Sequence, residues 1–107
     1  MVKIENLDQA LKDFSGVEIK NGGVLLTIKE VLVNHLGTMT ISLAGSGEKV
    51  VKSYKLGKKL YDAEKGKELT IPKEDIQFIK DTILHSPVYT SLVLGQVVEF
   101  LEKTLKK

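Results

Sequence analysis

Lysine, histidine and the carboxylates are the residues in this chain whose types could do chemistry. All sixteen of its strongly basic side chains are lysine, and arginine, cysteine and tryptophan are absent. Arginine is the planar fork that reads guanine, phosphate and carboxylate in pairs of hydrogen bonds. Cysteine is the soft metal ligand and thiol nucleophile. Their absence excludes a disulfide framework, a cysteine zinc site and thiol catalysis. Lysine remains as a point charge, and Lys52, Lys55 and Lys59 recur at helical spacing with Lys49 and Lys58 beside them. Such a stripe could hold phosphates without reading bases. The two histidines, His35 and His85, have no nucleophile or orienting group at a diagnostic spacing, and triads assemble in space. His35 falls on an apolar helical face, where a hydrogen-bonded core residue is expected. His85 falls near a helix end, where imidazolium is favoured by the dipole. The carboxylate pairs Asp62/Glu64 and Glu74/Asp75 lack the ligand series of a calcium loop. They read as charged helix ends. Gly45-Ser46-Gly47-Glu48-Lys49 resembles an anion nest before a helix. It lacks the spacing of a P-loop, and Glu48 would repel a phosphate. No catalytic residue, cofactor or metal is expected.

The helices and strands around these residues follow from the turn-forming and capping residues between them. With 107 residues, 42% apolar and 28% charged, the chain suits one domain with its own core. The net charge of +2 suits solubility more than a nucleic-acid field. The N-terminus has no signal-peptide core, and no apolar run approaches a membrane span, so a cytoplasmic protein is expected. Asn21-Gly22 between the apolar runs Val17–Ile19 and Val24–Leu26 predicts a hairpin with a type I′ turn. Residues 7–14 fit either a short helix after Asn6 or a strand. Thr27 and Glu30 form a capping box opening a helix with Ile28, Val31, Leu32, His35 and Leu36 on one face, and Gly37 suits its stop. Met39, Ile41 and Leu43 alternate as in a short strand or extended link.

A further helix is expected from Ser46 to about Glu64, ended by Gly66. On it Val50, Tyr54, Gly57 and Tyr61 share a face opposite the lysine stripe. Leu69–Ile71 predicts a brief strand. Thr70 is expected to cap the next helix, with Pro72 in its first turn and Ile76, Ile79 and Ile83 as its stripe. Ser86 or Thr90 starts the last helix. There Val93, Leu94, Val97, Val98, Phe100, Leu101 and Leu105 cover an arc of roughly 160°, wider than the roughly 100° of a typical core-facing stripe. That width predicts packing against two neighbours and leaves two readings open: the face is simply the domain core, or one neighbour is another chain, with Val93, Val97, Phe100, Leu101 and Leu105 as the interface. The fold class is therefore α+β: residues 1–27 hold the hairpin, short extra strands follow, and about four helices fill residues 28–107 of a single domain.

Several stretches occur in a suggestive order: Leu11–Gly16 with its hairpin, Leu26-Thr27-Ile28 into Val31–Asn34, and Gly47-Glu48-Lys49 leading to Tyr54–Tyr61. Glu68-Leu69-Thr70 then leads to Asp75-Ile76 and Ile79-Lys80, and Gly95–Leu101 closes the series. This order resembles small proteins of about a hundred residues encoded by tailed bacteriophages and prophages. The resemblance covers most of the chain and brings no site residues with it. It implies an accessory role inside a bacterial cell. The function expected is non-enzymatic binding of a host or virion protein, with association into a homodimer through the last helix. The alternatives are sequence-blind nucleic-acid binding by Lys52, Lys55 and Lys59, and a small enzyme or ligand sponge around Gly45–Gly47.

Overall fold

A computed structural model describes residues 1–63 and 69–106. The expected stop at Gly66 and the carboxylate of Glu64 lie outside the described residues. Among the described residues, four strands and five helices follow in the order β1 (Val2–Ile4), β2 (Lys20–Asn21), β3 (Val24–Leu25), α1 (Ile28–Gly37), α2 (Ile41–Ala44), α3 (Gly47–Tyr61), β4 (Leu69–Ile71), α4 (Lys73–Ile83) and α5 (Ser91–Leu105). The fold class is α+β. β1 pairs antiparallel with β4, Val2 opposite Ile71 and Ile4 opposite Leu69. β2 and β3 form the hairpin. Its positive-φ turn residues are Gly22 at 62° and Gly23 at 85°. The turn thus sits one residue later than Asn21-Gly22, because two successive glycines meet the type I′ requirement without cost.

Residues 7–27 do more than make a hairpin. Leu11 N–H donates to Leu26 O at 2.8 Å, Leu26 N–H to Ile19 O at 2.9 Å, and Ile19 N–H back to Leu11 O at 2.8 Å. Three extended segments thus close a ring of backbone hydrogen bonds. The segment before the ring also caps α1. Its first two N–H groups, on Ile28 and Lys29, donate to Gln9 O at 3.0 Å and Leu7 O at 2.9 Å. Glu30 N–H donates to Thr27 Oγ1 at 3.2 Å. Helix N-termini leave such donors without intrahelical partners, and here the β part supplies them. Asn6, at φ 64°, turns the chain from β1 into this capping segment. Asparagine tolerates that left-handed conformation better than most residues.

One core joins both parts of the chain, running from Val2, Ile4, Leu7 and Leu11 through α1 and α3 to Ile76, Ile79, Ile83, Val97 and Leu101. The expected stripe on α1 is buried in full, as are Ile76, Ile79 and Ile83 on α4. Four expectations need correction. Ile41–Ala44 is a single helical turn, capped by Thr40 Oγ1 accepting from Leu43 N–H at 3.2 Å; that local bond outweighs the strand-like alternation. Thr70 lies in β4 opposite Lys3, so α4 starts after Pro72 with no side-chain cap. On α3 the buried residues are Ser53, Leu56, Gly57 and Leu60, whereas Tyr54 and Tyr61 are exposed. The buried face lies between the tyrosine and lysine stripes.

The fourth correction concerns α5. Val97 and Leu101 are completely buried within the chain. Val93, Leu94, Val98, Phe100 and Leu105 are half-buried against the same core. The wide arc is explained because α5 packs on both α4 and β1. Gln96, on its flank, also grips the β part. Its Nε2 donates to Lys12 O at 2.7 Å, and its Oε1 accepts from Lys12 N–H at 3.0 Å. One side chain thereby pairs with the backbone as a strand would.

Gly57 sets the spacing of α1 and α3. A Cβ there would lie 3.2 Å from Leu36 Cβ and 3.9 Å from Gly37 N. Gly57→Leu is expected to force the helices apart and lower stability by about 1–3 kcal/mol, the usual cost of overpacking. Urea denaturation checks this, and an unchanged midpoint would show that the crossing has room.

Candidate functional site

The chemistry-bearing residues are placed by these elements as follows. His35 is 2% exposed, and its Nε2 lies 2.8 Å from Thr82 Oγ1. The Thr82 hydroxyl lies 2.9 Å from Phe78 O and 3.1 Å from Ile79 O, so its proton goes to the α4 backbone. Nε2 of His35 is then the donor and the ring is neutral. Burial holds its pKa down at about 4. Tyr89 packs edge-on with ring centroids 6.3 Å apart. Its hydroxyl accepts from Asn34 Nδ2 at 3.1 Å, and burial, partly offset by that bond, pushes the phenol pKa up. His35 is a hydrogen-bonded core residue, as its apolar face implied. His85 is exposed, with Nδ1 donating to Asp81 O at 2.8 Å. Among the described residues, no three of His, Asp and Glu are grouped to hold a metal ion.

The Gly45–Gly47 loop closes on itself. Gly45 takes φ 101° and ends α2, while Ser46 caps α3 by accepting from Lys49 N–H at 3.3 Å. One of the backbone donors that would face an anion, the Lys49 N–H, is thereby engaged.

The lysine stripe lines a groove of about 490 Å³ with Met1, Glu48, Val51, Leu56, Pro72 and Asp75. The three lysines differ in their engagements. Lys52 Nζ lies 2.6 Å from Asp75 Oδ1 and 5.4 Å from the centre of the Phe78 ring. Lys59 Nζ donates to Thr70 O at 3.1 Å. Among the described residues, the exposed Lys55 has neither an ion pair nor a hydrogen bond from its Nζ. One of the three is thus neutralised locally. The floor of the groove was not legible in the sequence, because Met1 and Pro72 come to α3 from far along the chain.

A second surface had no signal beyond a lone aromatic. Phe14 is 95% exposed. It sits in a loop organised by Asp13, whose Oδ1 accepts from Ser15 N–H at 2.9 Å, Ser15 Oγ at 2.6 Å and Val17 N–H at 3.0 Å. The backbone closes the same loop, with Asp13 N–H donating to Val17 O at 2.9 Å and Gly16 N–H to Asp13 O at 3.0 Å. Gly16 supplies the positive φ of 86° that the return requires. The Ser15 hydroxyl, followed by the Val17 amide, holds the Asp13 carboxyl below its usual pKa. Val17, in the same loop, is also exposed.

Of the five α5 residues expected at an interface, Val97 and Leu101 contribute no surface. Val93, Phe100 and Leu105 contribute only part of theirs. Among the described residues, no helix is long and apolar enough to cross a membrane. Compared with known proteins, the chain matches no family model, no curated protein and no solved structure.

Proposed function

We propose that this chain is a non-enzymatic protein-binding module, an accessory protein of a phage or prophage acting in the bacterial cytoplasm, and that Phe14 is its anchor. The observation that carries this reading is an almost fully exposed phenylalanine held in a loop closed by five hydrogen bonds. Isolated exposed apolar residues are ordinary. Phe14 differs in that the loop carrying it is already ordered, so a partner pocket gains the ring without the entropy cost of ordering that loop. Aromatic anchors of this kind carry a large share of interface free energy. Binding of a host factor and binding of a virion component both fit.

The test is a tagged pull-down from bacterial lysate, with and without nuclease, comparing the wild-type chain with Phe14→Ala. The wild-type chain is expected to recover one protein equally from both halves. Phe14→Ala is expected to weaken binding of that protein by about 2 kcal/mol, roughly thirtyfold, with its unfolding midpoint unchanged. Asp13→Ala, which keeps the ring and releases the loop, should fall between. Undiminished recovery by Phe14→Ala overturns the assignment. Recovery that disappears with nuclease favours nucleic-acid binding instead.

A further inference from the structure

We infer that the groove along α3 is a second docking surface, and that it takes an acidic segment of a partner protein that also carries apolar side chains. It does not involve Phe14. Its floor is apolar and open to solvent: Met1 is 80% exposed and Val51 53% exposed, with Leu56 and Pro72 completing the lining. An exposed apolar floor beside a charged rim is the arrangement of a protein interface, with a dry centre and a polar border.

The rim specifies the sign of the partner. Three of the five lysines on α3, Lys52, Lys55 and Lys59, line the groove, against the carboxylates of Glu48 and Asp75. The whole chain is only +2, so the remainder of the molecule is net negative and α3 is its positive stripe. Lys55 is exposed and unpaired among the described residues. Lys59 spends one bond on Thr70 O and, as an ammonium, keeps two further donors. These two can meet carboxylates at the edge while the floor takes aliphatic side chains. Charge complementarity of this kind steers encounter and selects the partner.

The same groove is poorly matched to a nucleic-acid backbone. Glu48 and Asp75 offset two of its three lysines, so a continuous row of phosphates would meet little net positive charge. Lys52 is neutralised by Asp75. The lining contains no aromatic ring on which a base could stack. A segment with spaced carboxylates and interspersed apolar residues avoids the acids and uses the floor.

Fluorescence anisotropy tests this with four labelled probes of twelve units each: a peptide of leucines spaced three and four apart among glutamates, an all-glutamate peptide, the lysine counterpart of the first, and an oligo-dT strand. The glutamate–leucine peptide is expected to bind at least about tenfold more tightly than each of the others. Val51→Asp, which places a carboxylate on the floor, and Lys55→Glu, which reverses the free charge, should each weaken that binding about tenfold. Both residues are exposed, and unchanged thermal midpoints would show that neither variant is misfolded. The inference is overturned if the glutamate–leucine peptide does not bind. It is equally overturned if that peptide binds no better than the all-glutamate peptide or oligo-dT, or if Val51→Asp leaves its affinity unchanged.

Discussion

Leu101→Asp is expected to leave no folded protein at neutral pH, and Val97→Asp to do the same. Both side chains are completely buried. Each substitution removes an aliphatic side chain from a packed core, where truncation alone costs about 2–5 kcal/mol for a leucine. It then places a carboxylate where neither water nor a cation can reach it. An ionised group in such a site costs several kcal/mol more, or stays protonated at comparable cost. A domain of this size has a total stability of about 5–15 kcal/mol, so the sum removes most or all of it. Far-ultraviolet circular dichroism with urea titration measures the outcome. Val88→Asp is the control: Val88 is 69% exposed, and its change should stay within about 0.5 kcal/mol. A folded Leu101→Asp protein with a midpoint near that of the wild type would show that this face of α5 is surface, and association through it would again need to be considered.

On α5, sequence periodicity stops being informative. A helix with a 160° arc announces that it has more than one neighbour, but not whether the second neighbour belongs to the same chain. Here the second is β1, which pairs with β4 across most of the sequence. Two short strands that close only on each other carry too little local pattern to be paired in advance. The α1 stripe and the Ile76/Ile79/Ile83 stripe were legible because each buried face is built from large aliphatic residues at 3.6-residue spacing. The buried face of α3 was not, because Ser53 and Gly57 hold half of it. Small residues are chosen there to let α1 approach, as the Leu36 contact at Gly57 shows, and hydrophobicity does not register closeness of approach. The tyrosines, being large and partly apolar, drew the expected face away from its true position. The site divides in the same way. Lys52, Lys55 and Lys59 could be read as a stripe from their spacing, and they do line one groove. Phe14 had no periodic partner, and its significance comes from hydrogen bonds made by Asp13.

Stability should also fall steeply between about pH 6.5 and pH 4, and His35 should account for that fall. The folded protein holds His35 neutral, with its pKa down at about 4 against the ordinary 6.5, because burial disfavours the imidazolium. The unfolded chain therefore binds a proton there at a higher pH than the folded chain does. Stability from this residue is fully present above pH 6.5. It is lost as the pH falls toward 4, and it changes no further below that, where both states are protonated. The difference converts to about 3 kcal/mol. The contacts around the ring point the same way. Thr82 sends its proton to the helix backbone and can accept only one hydrogen from Nε2, and Tyr89, with its pKa raised, offers no negative charge to an imidazolium. His35→Gln keeps an N–H for Thr82 and removes the titration. Urea denaturation from pH 8 to pH 4 should show the wild-type chain losing about 3 kcal/mol more than His35→Gln over this window. Asp13 does not imitate the effect, because a lowered carboxylate pKa moves its contribution below the usual carboxylate range. Parallel stability curves for the two proteins would mean that the fold accommodates the imidazolium, and that the ring is reached by water despite its burial.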